Sequence, residues 1–167
     1  MKTLTIHKTQ KSDIDEIISM ENDTENLKFI LPNSKEEHFK LIDDCDIEHL
    51  VLKSDSDKII GFVILAGIEG KNRSIEFRRI VVKSKGKGYG RMAIKKIKCY
   101  CFEKLTCHRL WLDLIETNER ARYLYQSEGF KEEGRLRDCV LIDNKFNNLV
   151  IMSILENEYK STTTSSL

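Results

Sequence analysis

The sequence has a single proline, Pro32, and no stretch rich in proline or glycine, so it offers no linker at which to divide the chain. No apolar run approaches the roughly 20 residues that cross a bilayer. The opening residues, Met1-Lys2-Thr3-Leu4-Thr5-Ile6-His7, lack the apolar core of a secretion signal. The expectation is a cytosolic protein that engages no membrane. Five cysteines, Cys45, Cys99, Cys101, Cys107 and Cys139, are an odd number and form no CxxC pair. Disulfides are therefore not expected, nor is a metal site, because Cys107-His108 has no second ligand pair nearby. Buried, reduced thiols are the expectation. The 167 residues suit one domain, read as residues 1–158, with 159–167 expected to be an unstructured tail rich in Ser and Thr.

One window also lacks acids altogether. Arg78, Arg79, Lys83, Lys85, Lys87, Arg91, Lys95, Lys96 and Lys98 have no acidic residue among them. The stretch from Asp13 to Asp57 is the reverse, with 14 acidic side chains against Lys28, Lys35, Lys40 and Lys53. The net charge of +1 hides this asymmetry, which gives one part of the chain a preference for anions and another for cations.

Hydrophobic periodicity and turn chemistry give seven strands and four helices. Leu4 and Ile6 alternate with polar residues, as on a half-buried strand. Ser12 starts a first helix carrying Ile14, Ile17 and Ile18; Ser34-Lys35-Glu36-Glu37 is a capping box for a second, ending near Ile42. Strands follow at His49–Lys53, Lys58–Gly67 and Ser74–Val82. A helix from Gly88 to about Leu105 places Ala93, Ile94, Ile97 and Cys101 on one face. Arg109–Ile115 is a strand, Asn118–Ser127 a short helix closed by Gly129, and the rest a hairpin with arms Gly134–Ile142 and Phe146–Leu155. Hairpin-linked strands combined with two crossover helices imply an α+β fold on a mixed sheet.

The segment with chemical content is Ile80-Val81-Val82-Lys83-Ser84-Lys85-Gly86-Lys87-Gly88-Tyr89-Gly90-Arg91. A β-branched strand enters a glycine turn that opens a helix, so backbone N–H groups and the positive helix end form an anion cradle. The spacing does not fit a Walker A loop or a dinucleotide fingerprint. A tight strand–helix turn without a ligand is the alternative. A second segment follows the next strand: Asn118-Glu119-Arg120-Ala121-Arg122-Tyr123-Leu124-Tyr125-Gln126-Ser127-Glu128-Gly129-Phe130.

With both segments the chain resembles the GNAT N-acetyltransferase superfamily. Its loop reads Gln/Arg-x-x-Gly-x-Gly-Ala/Gly, and its later helix Asn-x-x-Ala-x-x-Leu-Tyr-x-x-x-Gly-Phe. Here the loop is Lys85-Gly86-Lys87-Gly88-Tyr89-Gly90, with Lys for Gln or Arg, and the helix pattern is complete. The segment from Phe130 to Leu155 is similar to that of polyamine and ribosomal-protein N-terminal acetyltransferases. The resemblance implies a mostly antiparallel, mixed seven-stranded sheet with about four helices on both faces and a V-shaped splay between the fourth and fifth strands. It implies acetyl-CoA as cosubstrate. The pyrophosphate would lie on Lys85, Gly86, Lys87, Gly88, Tyr89, Gly90 and Arg91, and the pantetheine along Ile80, Val81 and Val82. Asn118 would hydrogen-bond that arm, Ala121 would leave room for it, and Tyr125 would lie near the sulfur.

The implied reaction is attack of a neutral amine on the thioester. A lysine-like amine is about one part in 10³ neutral at pH 7, so deprotonation needs help. Glu76 is the candidate base, read by alternation as sharing a face with Ile80 and Val82; an ion pair with Arg78 and a base-free water route are the alternatives. Tyr125 is the candidate acid and Tyr123 a discounted backup on another side of the helix. The acids over the first two helices fit a cationic acceptor, a polyamine or an exposed protein amine, or a merely solvated surface. Two other readings remain open: a catalytically silent CoA-binding domain, and a nucleic-acid module, which lacks an aromatic sheet face or recognition helix and is not expected. The terminal hairpin offers edge strands for a homodimer.

Overall fold

The computed structural model describes residues 3–83 and 85–164. Seven strands form one sheet: β1 (Leu4–Lys8), β2 (Ile47–Ser54), β3 (Ile59–Ala66), β4 (Ser74–Val82), β5 (Arg109–Ile115), β6 (Lys131–Ile142) and β7 (Lys145–Leu155). Their order is β1-β2-β3-β4-β5-β7-β6, antiparallel except for β4 against β5. The helices are α1 (Ile14–Glu21), α2 (Thr24–Leu27), α3 (Lys35–Asp43), α4 (Tyr89–Cys99), α5 (Glu119–Ser127) and α6 (Glu156–Thr164).

Both sheet faces are covered. On one, α4 inserts Ala93, Ile94 and Ile97, the stripe read from the sequence, against Leu50, Leu52, Val63, Phe77 and Leu110. On the other, Ile14, Ile17 and Met20 of α1 pack on Val51, Phe62, Ile64 and Val81. The α3 capping box forms as read: Glu37 N–H donates to Ser34 Oγ (3.2 Å), and Ser34 N–H donates to the Glu37 carboxylate (2.6 Å).

Four details differ from the sequence reading. α2 has four residues and no periodicity to announce it; Asp23 caps it by accepting from Glu25 N–H. α4 passes into a π turn at Tyr100–Lys104, so the long helix changes pitch before Leu105. The chain continues as α6 to Thr164 where an unstructured tail from residue 159 was expected, because Tyr159 stacks on Phe102 with ring centroids 4.8 Å apart. Residues 165–167 of that tail lie outside the described residues. Of the cysteines, Cys101 and Cys107 are buried, but Cys45 and Cys139 are exposed, contrary to the expectation of buried thiols. β6 is a free edge, exposed along nearly its whole length, and Leu136, Leu141 and Phe146 stand out from this hairpin. The expected subunit pairing would fall there.

A buried polar chain crosses the second face. Thr9 Oγ1 lies 2.9 Å from His49 Nδ1, His49 Nε2 lies 3.0 Å from His38 Nδ1, and His38 Nε2 lies 2.9 Å from Glu21 Oε2. Arg79 closes it on Glu21 Oε1. Taking Glu21 as the ionised end assigns the rest: His38 donates to it, His49 donates to His38, and Thr9 donates to His49. Burial tends to raise the Glu21 pKa, but the hydrogen bonds from His38 and Arg79 and the Arg79 charge outweigh it and hold it low. Burial, then the neighbouring His38, lowers the His49 pKa to about 4.

An unfolded imidazole protonates near pH 6.5 and folded His49 only near 4, so between those values the unfolded state binds more protons. Stability rises with pH through that window and is lost on acidification, by about 3 kcal/mol for this residue. Urea denaturation between pH 6.5 and 4 should show this loss, and His49→Gln should show a shallower slope. Equal slopes would contradict the assignment.

Candidate functional site

The β4–β5 ladder is short. It pairs Ser74 with Arg109, Ile75 with Leu110 and Glu76 with Trp111, then stops. β4 continues to Val82 against β3, and β5 continues to Ile115 against β7. Past Glu76 the two strands therefore diverge, and the edge of β4 that faced β5 has no strand partner. This is the splay implied by the resemblance.

A cleft of about 580 Å³ opens at the splay. Ile80, Val81 and Val82 form one wall; Asn118, Ala121 and Tyr125 form the other; Lys85, Gly86, Gly88, Gly90 and Arg91 close one end. Most of the residues named from the sequence thus meet in one place. Lys87 and Tyr89 belong to the same turn and helix start but are not among the lining residues.

Gly86 and Gly88 have φ of 81° and 83°. A Cβ at either would meet nothing within 4 Å, so glycine is needed there for its left-handed backbone and not for space. Gly88 is the N-cap of α4, which has no side-chain cap and no acid in its first turn. The positive helix end is thus left for an anion. α5 begins at the same cleft. Its cap is Asn118, whose Oδ1 accepts from Ala121 N–H at 3.2 Å, so a ligand would meet the Asn118 NH2 group. Arg91 is held by Glu128 at 2.6 Å, and the buried Lys98 ties the same residue through its carbonyl (2.6 Å) and carboxylate (3.3 Å). The arginine is thereby aimed along the cleft end instead of ranging freely.

Tyr125 is almost fully buried, edge-on to Phe77 (6.2 Å) and Phe130 (5.5 Å), yet lines the cleft. Burial, and secondarily the negative charge of Asp113, drives its pKa far above that of a free phenol. It keeps its proton at any working pH. Tyr123, discounted from the sequence, also lines the cleft and is 71% exposed.

Glu76 is placed differently from the alternation argument. Ile64 pairs with Arg79 and Leu65 with Phe77, so Arg78 is an extra residue, a β-bulge on β4. Ile75 and Phe77 face the α4 core before the bulge, and Ile80 and Val82 face it afterwards. Glu76 therefore points to the opposite face from Ile80 and Val82, correcting the reading of a shared face. It is not a cleft-lining residue, and its Oε2 accepts from Arg78 Nε (3.0 Å) and Nη2 (2.8 Å). Asp113 of β5 stands beside it on an exposed position of the strand; partial loss of hydration, and then the Glu76 charge, raise its pKa only as far as that exposure allows.

The sequence reading also missed a wall made by α2 and the residues after it. Glu25, Asn26, Phe29 and Ile30 line the cleft, and the Lys85 charge across it is felt at Glu25. Several acids of this wall and of the helices beside it are engaged: Asp15 with Lys35, Glu16 with Lys83, Asp43 with Lys11, Glu25 with Lys28.

The family model described as the acetyltransferase (GNAT) family matches residues 14–130. The chain belongs to that family. It is accordingly an acetyl-CoA-dependent acetyltransferase acting on amines. Over 121 residues it is 32% identical to a spermidine N(1)-acetyltransferase of Vibrio cholerae, a span of 72% of this chain and 70% of that one. It is 30% identical over 103 residues to a putative ribosomal N-acetyltransferase of Bacillus subtilis, covering 61% of this chain and 56% of the other. The crystal structure of the Vibrio cholerae spermidine N-acetyltransferase in complex with CoA and spermine superposes with a TM-score of 0.86 at 28% identity, over 94% of this chain and 98% of that one.

Gly88→Ala should impose about 1 kcal/mol of left-handed strain on the turn and weaken acetyl-CoA binding roughly tenfold by calorimetry, with the circular dichroism spectrum kept. Unchanged binding would detach this turn from the coenzyme.

Proposed function

We propose that the protein acetylates a primary amine of a polyamine-like cation, with the splayed cleft holding acetyl-CoA. The observation that carries this is the convergence on one cleft of an unpartnered β4 edge, two helix N-termini and a buried phenol. The residues fit the coenzyme. The left-handed turn at Gly86 and Gly88, with Lys85 and Arg91, suits a diphosphate. The free edge at Ile80–Val82 and the Asn118 amide suit the amides of a pantetheine arm, and Ala121 leaves that arm room.

Acetyl-CoA supplies an activated acyl carbon. The amine nitrogen forms the new C–N bond, the C–S bond breaks, and the proton lost from nitrogen balances the thiol released. Tyr125 donates a hydrogen bond to the sulfur as negative charge develops on it. A thiol pKa near 8.5 lies well below that of this buried phenol, so Tyr125 stabilises the thiolate without full proton transfer. Glu76 is a poor base while its carboxylate is held by Arg78. The amine proton therefore leaves through water, without a dedicated protein base.

The acceptor class rests on the wall that carries Glu25, on the acidic excess around it, and on the relatives, whose names include spermidine acetyltransferases. The test is a panel of spermidine, spermine, N-terminal peptides and small monoamines with acetyl-CoA, read by thiol release. Spermidine and spermine should lead, and Tyr125→Phe should cut kcat by about 10²-fold with acetyl-CoA affinity nearly kept. Preferred turnover of peptides would overturn the acceptor assignment, and full activity in Tyr125→Phe would remove the phenol from the mechanism.

A further inference from the structure

One carboxylate bonds residues that flank both walls of the cleft. Glu21 is the last residue of α1 and fully buried. Its Oε2 accepts from Asn33 N–H (3.0 Å) and from His38 Nε2 (2.9 Å), and its Oε1 accepts from Arg79. Residues 21 and 33 bracket the segment that supplies Glu25, Asn26, Phe29 and Ile30 to the cleft, so the Asn33 bond closes that segment at its base. Within the segment, Asn26 Nδ2 donates to Met20 O at 2.7 Å, a second tie to the end of α1. Arg79 directly precedes Ile80–Val82, the unpartnered edge of the opposite wall, and follows the bulge at Arg78 that sets which way that edge faces.

We propose that Glu21 is a positioning residue that fixes the width of the cleft, clamping the 22–33 segment to strand β4 through Asn33, His38 and Arg79. The proposal rests on the reading that this segment is the acceptor-side wall. The clamp is rigid because its centre, Glu21 and His38, is buried and the lone pairs and protons there are matched: an ionised carboxylate takes three donors, and His38 is oriented from behind by His49. Removing the charge leaves the guanidinium without its counter-ion in a mostly buried place, which loosens the contact between the walls. Glu21 makes no contact with the reacting atoms in this account, so its loss acts on how the amine is held and less on the chemical step.

The test uses the full chain and two variants. Glu21→Gln keeps the shape of the side chain and removes its charge. Thr9→Val removes the far end of the polar chain, leaving His49 without its donor but the clamp intact. In Glu21→Gln, amide exchange across residues 23–33 should quicken at least about tenfold. The KM for the best amine should rise about tenfold with kcat changed less than about threefold. Thr9→Val should lower the thermal midpoint but leave exchange in 23–33 and the amine KM alone, which separates positioning from general destabilisation. If Glu21→Gln does not fold, Arg79→Lys, which keeps the charge but loses the reach and fork of the guanidinium, carries the same readouts. Wild-type exchange and KM in a folded Glu21→Gln, or equal effects from Thr9→Val, would overturn the proposal. If the wild type acetylates no amine, the acceptor reading fails, while the exchange arm still decides whether the clamp exists.

Discussion

The whole site depends on where two parallel strands stop pairing. Three residue pairs join β4 to β5, and after Glu76 and Trp111 there are none. A strand edge without a partner is unfavourable unless water or a ligand meets its N–H and C=O groups. Here it is kept open by construction. β3 holds β4 on one side as far as Val82, and β7 holds β5 on the other as far as Ile115, so neither strand can swing to close the gap. The cores on both sheet faces fix these pairs in turn, with Val63 and Phe77 among the buried residues of one and Phe62 and Val81 among those of the other. The cleft is therefore a property of the rigid sheet, and the loops only furnish it.

The bulge at Arg78 is the second constraint. By adding one residue to β4 it exchanges the faces of everything beyond it. Ile80 and Val82 turn to the α4 side, and Arg79 turns to the α1 side, where the buried Glu21 receives it. Without the bulge Arg79 would enter an apolar core and Ile80 would meet the buried carboxylate. The same shift moves Glu76 away from the cleft wall and leaves it to Arg78.

Much of this was legible in the sequence because the signals are local. The glycines at 86 and 88 announce positive φ, and the capping box at Ser34 and the stripe of Ala93, Ile94 and Ile97 announce helices. The run from Asn118 to Ser127 announces a short helix closed by Gly129, and the structure has that helix with Asn118 as its cap. What was not legible is non-local. Glu21 and Arg79 lie 58 residues apart, and neither carries a mark that they will meet. A four-residue helix such as α2 is too short for periodicity, so the Glu25–Ile30 wall was unseen. A bulge leaves no trace in a run such as Glu76-Phe77-Arg78-Arg79-Ile80, where strict alternation gives the wrong face for every residue on one side of it.

The central claim is that the open edge of β4 and the turn after it grip the coenzyme through main-chain groups. Hydrogen exchange of the intact protein with and without saturating CoA tests it most directly. The account predicts new protection concentrated at amides of 80–82 and 86–91, with β6 unaffected. CoA binding that leaves those amides exchanging at their free rates, or that protects only a distant surface, would contradict it.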